Sequence, residues 1–352
     1  MGLSARLWGF ALGRPRVLVV APGATAAGQE VESALLRRGW PPALSPAGAD
    51  LLVVVGDPGP ELGGAVEVLW SQMPAPRART RVDRPAEVGA RLDAAAASLV
   101  DRGAQRRSAD ADGDPWIGRG TQPDDPDHED HDDHEDHDDH DDHDEHGHGG
   151  HGDMEVAGLP MASSAPDRDG LELEALDVTL GPWLPGSPDG LVVRATMQGD
   201  VLSGAGVRWA DGVTAAPRPA RLRALDAVCR VLVLAGPERD LHRARRARDA
   251  VGQQRPSASE QVSRLARDLR GSRRLRWSLR GLPAPQGTDV LDRLHTWCDV
   301  LDGAAPPEPV PPQAVAAALE GAELAAARLA VASVDVGPGE HEPAADEGDR
   351  HA

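Results

Sequence analysis

Nine histidines between positions 128 and 151 hold the most concentrated chemistry in the chain. His128, His131, His134, His137, His140, His143 and His146 recur every third residue, and His148 and His151 follow. Between Asp124 and Glu145 every other residue except Pro126 is Asp or Glu, fifteen carboxylates in all. Imidazole suits Ni²⁺ and Zn²⁺, and carboxylates add a non-specific electrostatic pull, so these nine histidines are the candidate metal ligands. The tract has nothing apolar to bury and cannot offset the entropy of ordering. A disordered linker, extended by its own charge, is expected. In a polyproline II conformation the seven evenly spaced imidazoles would share one edge, whereas an α-helix would spread them around its cylinder.

The rest of the chain excludes as much as it offers. Its 352 residues suggest two domains joined by a linker. Of the 57 acids, fifteen lie in the tract, leaving 42 against 37 basic residues, so the globular parts are only mildly acidic. All 37 bases are arginine, and there is neither lysine nor tyrosine. That rules out a Walker A loop, a Schiff base and a pyridoxal phosphate site. Cys229 and Cys298, the only cysteines, are too few to hold a zinc knuckle or an iron–sulfur cluster. Nothing favours a disulfide between them, and a reducing compartment is expected. Arginines interrupt every apolar run of the first twenty residues, which read as neither signal peptide nor membrane span. A cytoplasmic location is expected, or one peripheral to the inner face of the membrane through partners.

The elements that would frame the tract are legible on both sides. Residues 16–21 and 50–56 are short apolar runs closed by proline or glycine turns, the pattern of buried parallel strands. A third strand is expected over 77–82. Helices are expected over 29–38, 61–72 and 85–100, so that strands alternate with helices in a parallel α/β sheet, flavodoxin-like in type. The run ADLLVVVGDPGPELGGAVEVLWSQMPAPRARTRVD resembles the B-type subunit of proton-translocating NADH:quinone oxidoreductase. It is similar too to the small subunit of nickel–iron hydrogenases. The resemblance implies a loop after the first strand in which cysteines ahead of a glutamate hold the cluster nearest the active site. This chain keeps Gly23 and Glu30 there, but has Ala24 and Ala27 at the cysteine positions and Asp83-Arg84-Pro85 where another ligand would fall. No iron–sulfur cluster is therefore expected.

Beyond the tract, LDVTLGPWLPGSPDGLVVRATMQGDVLSGAGVRW (176–209) resembles the N-terminal β region of the D-type, large subunit of the same oxidoreductase. Leu180-Gly181-Pro182, Gly190-Leu191 and the turn at Gly199-Asp200 carry the likeness. By that resemblance the loop histidines near the quinone are replaced, by Leu184 and by Pro188-Asp189. Residues 176–180 read as an edge or hairpin strand, and Gln198-Gly199-Asp200 as a turn between two more. From there the chain reads helical. An apolar stripe runs through Leu222, Leu225, Val228, Cys229 and Leu232, a capping box starts at Ser257 with Glu260, and a core face holds Val290, Leu294, Trp297 and Cys298. Residues 313–331 read as one amphipathic helix, isolated behind a proline-rich stretch, that is either a docking helix or loosely attached. The expected organisation is thus an α/β domain over 1–107, a linker over 108–153 and an α+β domain over 154–303. A proline-rich linker with its helix would cover 304–336, and a disordered tail 337–352.

Seventeen arginines face only six acids between Arg218 and Arg280. This is either a solvated helical surface or a face for the tract, an acidic partner or a membrane surface. Nucleic acid is disfavoured, because interleaved aromatics are missing and the tract repels phosphate. The leading functional expectation is a non-catalytic structural or assembly component of a hydrogenase-like or complex I-like membrane-associated oxidoreductase, not itself membrane-spanning. The alternative is a nickel or zinc storage or delivery protein for metalloenzyme maturation. An active oxidoreductase subunit is the third reading, opposed by the missing ligands.

Overall fold

Five consecutive apolar residues, Leu51–Val55, can be satisfied only where both faces of a sheet are covered, and they form its middle. The computed structural model describes residues 14–21, 26–112, 155–156, 159–160, 163–166, 172–212 and 218–337. Within it β1 (Val17–Val20), β2 (Leu51–Val55) and β3 (Ala78–Val82) make a parallel sheet in the order β1-β2-β3, with Val53 opposite Val19 and Thr80. All of β2 is buried, while β3 exposes Arg79 and Arg81 as only an edge strand can. The parallel α/β architecture is as expected. The flavodoxin-like order, which puts the first strand in the middle, is not the one adopted.

The pleat divides the core in two. Val17, Leu51, Val53 and Val55 meet α1 (Ala26–Arg38) and α3 (Val88–Val100) on one face. Leu18, Val20, Leu52 and Val54 meet Leu62 and Val66 of α2 (Pro60–Ser71) on the other. The helix expected from Pro85 starts as a 3-10 turn, because Glu87 accepts the backbone N–H groups of Asp83 (2.7 Å) and Arg84 (2.8 Å) and tightens the entry. A further helix, α4 (Arg102–Asp112), carries the chain past residue 107. Gln105 pins it by bonding both the N–H and the carbonyl of Arg77.

In the second half, a two-residue ladder pairs β4 (Glu155–Val156) with β5 (Leu159–Pro160). An antiparallel sheet then runs in the order β6-β7-β8-β9, from β6 (Ser163–Pro166) through β7 (Glu172–Leu180) and β8 (Leu191–Gln198) to β9 (Val201–Trp209). β7 lies between β6 and β8, and β8 and β9 close across the expected turn, with Gly199 at φ +61°. The segment expected as one isolated helix is instead two packed ones. Gly321 (φ +71°) separates α10 (Pro312–Leu319) from α11 (Leu324–Ala332). The break is stitched to β9, since Gly321 donates to the Leu202 carbonyl and Leu202 to that of Ala322. Val315, Leu319, Ala327 and Val331 bury against Leu191, Val193, Leu202 and Trp209, so this segment closes the core of the sheet rather than hanging from it.

A helical layer completes the half: α5 (Ala220–Ala235), α6 (Glu238–Gly252), α7 (Ala258–Gly271), α8 (Arg273–Leu279) and α9 (Val290–Leu301). They enclose Leu225, Val228, Leu232, Leu265, Leu269, Leu294, Trp297 and Cys298. The capping box at Ser257 does not form, because Ser257 has a helical backbone and its Oγ accepts from Gln261 instead. Among the described residues no helix is long and apolar enough to cross a membrane.

Candidate functional site

β1 is an edge strand, and the second half of the chain docks beside it. Trp183, in the loop between β7 and β8, donates its indole N–H to the Val19 carbonyl and so satisfies an edge group from the other half. Asp211 accepts the N–H groups of Glu61 and Leu62 at the start of α2, and Arg208 forms an ion pair with Glu61. The Arg208 guanidinium holds the Glu61 carboxyl below its ordinary range. Farther along, Arg248 of α6 meets both Glu32 of α1 and Asp226 of α5, the latter at 3.2 Å.

Between these contacts lies a cavity of about 990 Å³. Its lining includes the apolar Val17, Val19, Trp40, Trp183, Leu232 and Val233 and the cationic Arg218, Arg230, Arg245, Arg246 and Arg248. Asp226 is buried and paired with Arg218 and Arg248, yet desolvation outweighs the pull of Arg218 and Arg230 and pushes its carboxyl up to about 6. Asp189 is exposed and lines the cavity. Desolvation pushes it up to about 7, against the pull of Arg230. Arg230 spends its Nε and Nη2 on the carbonyls of Ala332 (3.2 Å) and Val334 (2.7 Å), and burial lowers its pKa. The Nε atoms of Arg245 and Arg248 and the Nε2 of Gln29 are buried around the cavity without a hydrogen-bond partner. A chamber lined by both apolar and cationic side chains, with spare donors and a carboxyl poised near neutrality, can hold an amphipathic molecule with a polar head.

Nothing in the chamber is an activated thiol. Cys229 lines it, but burial pushes its thiol up to about 12; Cys298 sits in the helical core and is likewise pushed up to about 12. Both cysteines are free. Of the two loop positions where the resemblance would place cysteines, Ala24 lies outside the described residues and Ala27 is buried at the start of α1. Glu30 forms an ion pair with Arg37. Leu184 and Pro188-Asp189, where the resemblance would place loop histidines, all line the cavity.

The nine candidate metal ligands, His128 through His151, lie outside the described residues. Among the described residues no group of three or more His, Cys, Asp or Glu side chains is arranged to hold a metal ion. In the sequence Asp226 and Arg248 are legible only as charges. One signal was available, since Asp226 interrupts the apolar stripe of α5 and an acid on a buried face needs cations brought to it. Glu32 and Asp211 gave no such signal, because their partners come from the other half of the chain. No protein-family model matches the chain, and neither a curated protein nor a solved structure matches it.

Proposed function

We propose that this chain is a non-catalytic structural or assembly component of a hydrogenase-like or complex I-like oxidoreductase, with a metal-binding histidine tract in the sequence between its halves. The reading is supported above all by one juxtaposition. The two segments that resemble the small and large subunits lie against each other, tied by Trp183 to β1 and by Asp211 to α2. The loop positions Leu184 and Asp189 line the chamber where they meet. No described residue supplies a thiolate there, because Cys229, the sole cysteine on the chamber wall, keeps its proton at neutral pH. The component would then contribute shape and docking surface, and its partners the redox centres, at the inner face of the membrane. The test is metal and sulfide analysis of the purified chain beside affinity capture from native membranes. Absence of iron and labile sulfide, with recovery of oxidoreductase subunits, is expected; a stoichiometric iron–sulfur chromophore overturns the reading.

The histidine tract favours a second reading, a nickel or zinc store serving metalloenzyme maturation. Recovery of maturation enzymes in place of membrane subunits would select it.

A further inference from the structure

Trp277 is 88% exposed, more than any other large apolar side chain among the described residues. Its helix explains why. α8 turns Leu275 and Leu279 fully into the core, and at 100° per residue this leaves Trp277 at the outermost point of the helix. Arg273 lies one turn before it and Arg280 three residues after it, with Arg274 and Arg276 on its flanks. All four arginines are exposed, and none has an ion-pair partner among the described residues. Some neighbouring arginines are paired. Arg264 pairs with Glu260, Arg243 with Asp268, and Arg270 with both Asp299 and Asp302. Arg246 and Arg267 are exposed and without an ion pair among the described residues too, but only Arg273, Arg274, Arg276 and Arg280 surround a bare indole.

From this arrangement we infer that α8 docks on a bilayer surface of anionic phospholipid, with the indole in the headgroup region and the four guanidiniums on lipid phosphates. An indole has an apolar body and one polar N–H, the combination that settles at a membrane–water boundary. Guanidinium pairs with phosphate through a planar fork, and each arginine close to an anionic leaflet adds an electrostatic attraction to it. An acidic peptide would answer the arginines but leave the indole in water. Single-stranded nucleic acid would want several stacking rings along a groove, and here one ring stands on a convex helix. The inference does not depend on the proposed function.

The experiment is co-sedimentation of the full chain with phosphatidylcholine–phosphatidylglycerol vesicles, compared with phosphatidylcholine alone, at low and high salt. Binding is expected only to the anionic vesicles and is weakened by salt. Trp277→Ser should reduce the partition coefficient roughly tenfold. Replacing Arg273, Arg274, Arg276 and Arg280 by Gln should reduce it by about fivefold per arginine. All five side chains are exposed, so circular dichroism melts should match the wild type and exclude misfolding as the cause. Deleting residues 124–151 should preserve or strengthen binding, because the tract repels an anionic surface. The assignment is overturned if the wild-type chain stays in the supernatant, if it binds neutral vesicles equally well, or if Trp277→Ser binds as tightly as wild type. Binding by the tract-deleted chain alone would overturn it in favour of the tract as occupant. Duplex DNA binding with the same variant dependence, without vesicle binding, would overturn it in favour of nucleic acid.

Discussion

Asp211 caps a helix that belongs to the other half of the chain. Its carboxylate accepts the backbone N–H of Glu61 at 2.8 Å and of Leu62 at 3.1 Å, while the N-cap position itself, Gly59, has no side chain to offer. A Cβ on Gly59 would lie 2.4 Å from the Asp211 Cγ. Glycine is thus required where two halves of the molecule share one helix start.

Gly59 has φ −65° and ψ 179°, a conformation alanine adopts freely, so any cost of Gly59→Ala comes from the contact with Asp211. At an unobstructed site such a change stabilises by about 0.4–1 kcal/mol; here it should destabilise by about 1–2 kcal/mol. Asp211→Ala should cost about 1 kcal/mol through loss of the cap. Urea melts of the double mutant should show less damage than the sum of the two single changes. Strict additivity would mean that the residues do not meet.

Arg248 joins Glu32 of the first half to Asp226 of the second and is itself 7% exposed. Removing one partner of a buried ion pair leaves its charge uncompensated, so Arg248→Ala should cost about 3–5 kcal/mol. Arg264→Ala, which breaks an exposed pair one turn along α7, should cost less than about 0.5 kcal/mol. Equal losses in denaturant melts would show that the Arg248 site is hydrated like the surface.

Asp189 keeps its proton up to about pH 7, far above the 3.8 of an ordinary aspartate. Between those values the native state binds more protons than the unfolded chain, so this group makes stability fall as pH rises through the window. Asp189 has no ion-pair partner among the described residues, and its amide analogue should pack in the same space. Asp189→Asn should leave stability unchanged near pH 4 and raise it at about pH 8. The gain should be only about 1 kcal/mol, because water in the cavity screens the charge. A gain that is equal at both pH values would contradict the assignment.

The tract can be tested without touching the folded halves. Titration with Zn²⁺ or Ni²⁺ should saturate at several equivalents per chain, and deleting residues 124–151 should abolish most of that binding. Acidification should release metal, since coordination requires neutral imidazole. The thermal transition of the deletion variant should match the wild type. If either half unfolds on deletion, the tract has a structural role.

Local pattern was enough to read most elements of this chain. The apolar run Leu51–Val55 announces a strand covered on both faces, the stripe through Leu225, Val228 and Leu232 a helix with one inward face, and Gly199-Asp200 a hairpin. Each is written in residues a few positions apart, where backbone geometry imposes its period. Composition alone also removed lysine chemistry and left too few thiols for a cluster. Only the tertiary structure placed β2 in the middle of its sheet, broke residues 313–331 at Gly321, and folded both pieces over β9. It alone brought Asp211 to α2, Arg248 to Glu32, and Asp189 to a chamber between the halves. Those partners lie more than a hundred positions apart. No local period encodes such a pairing, which is fixed by which surfaces can be buried together and which buried charges must then be matched.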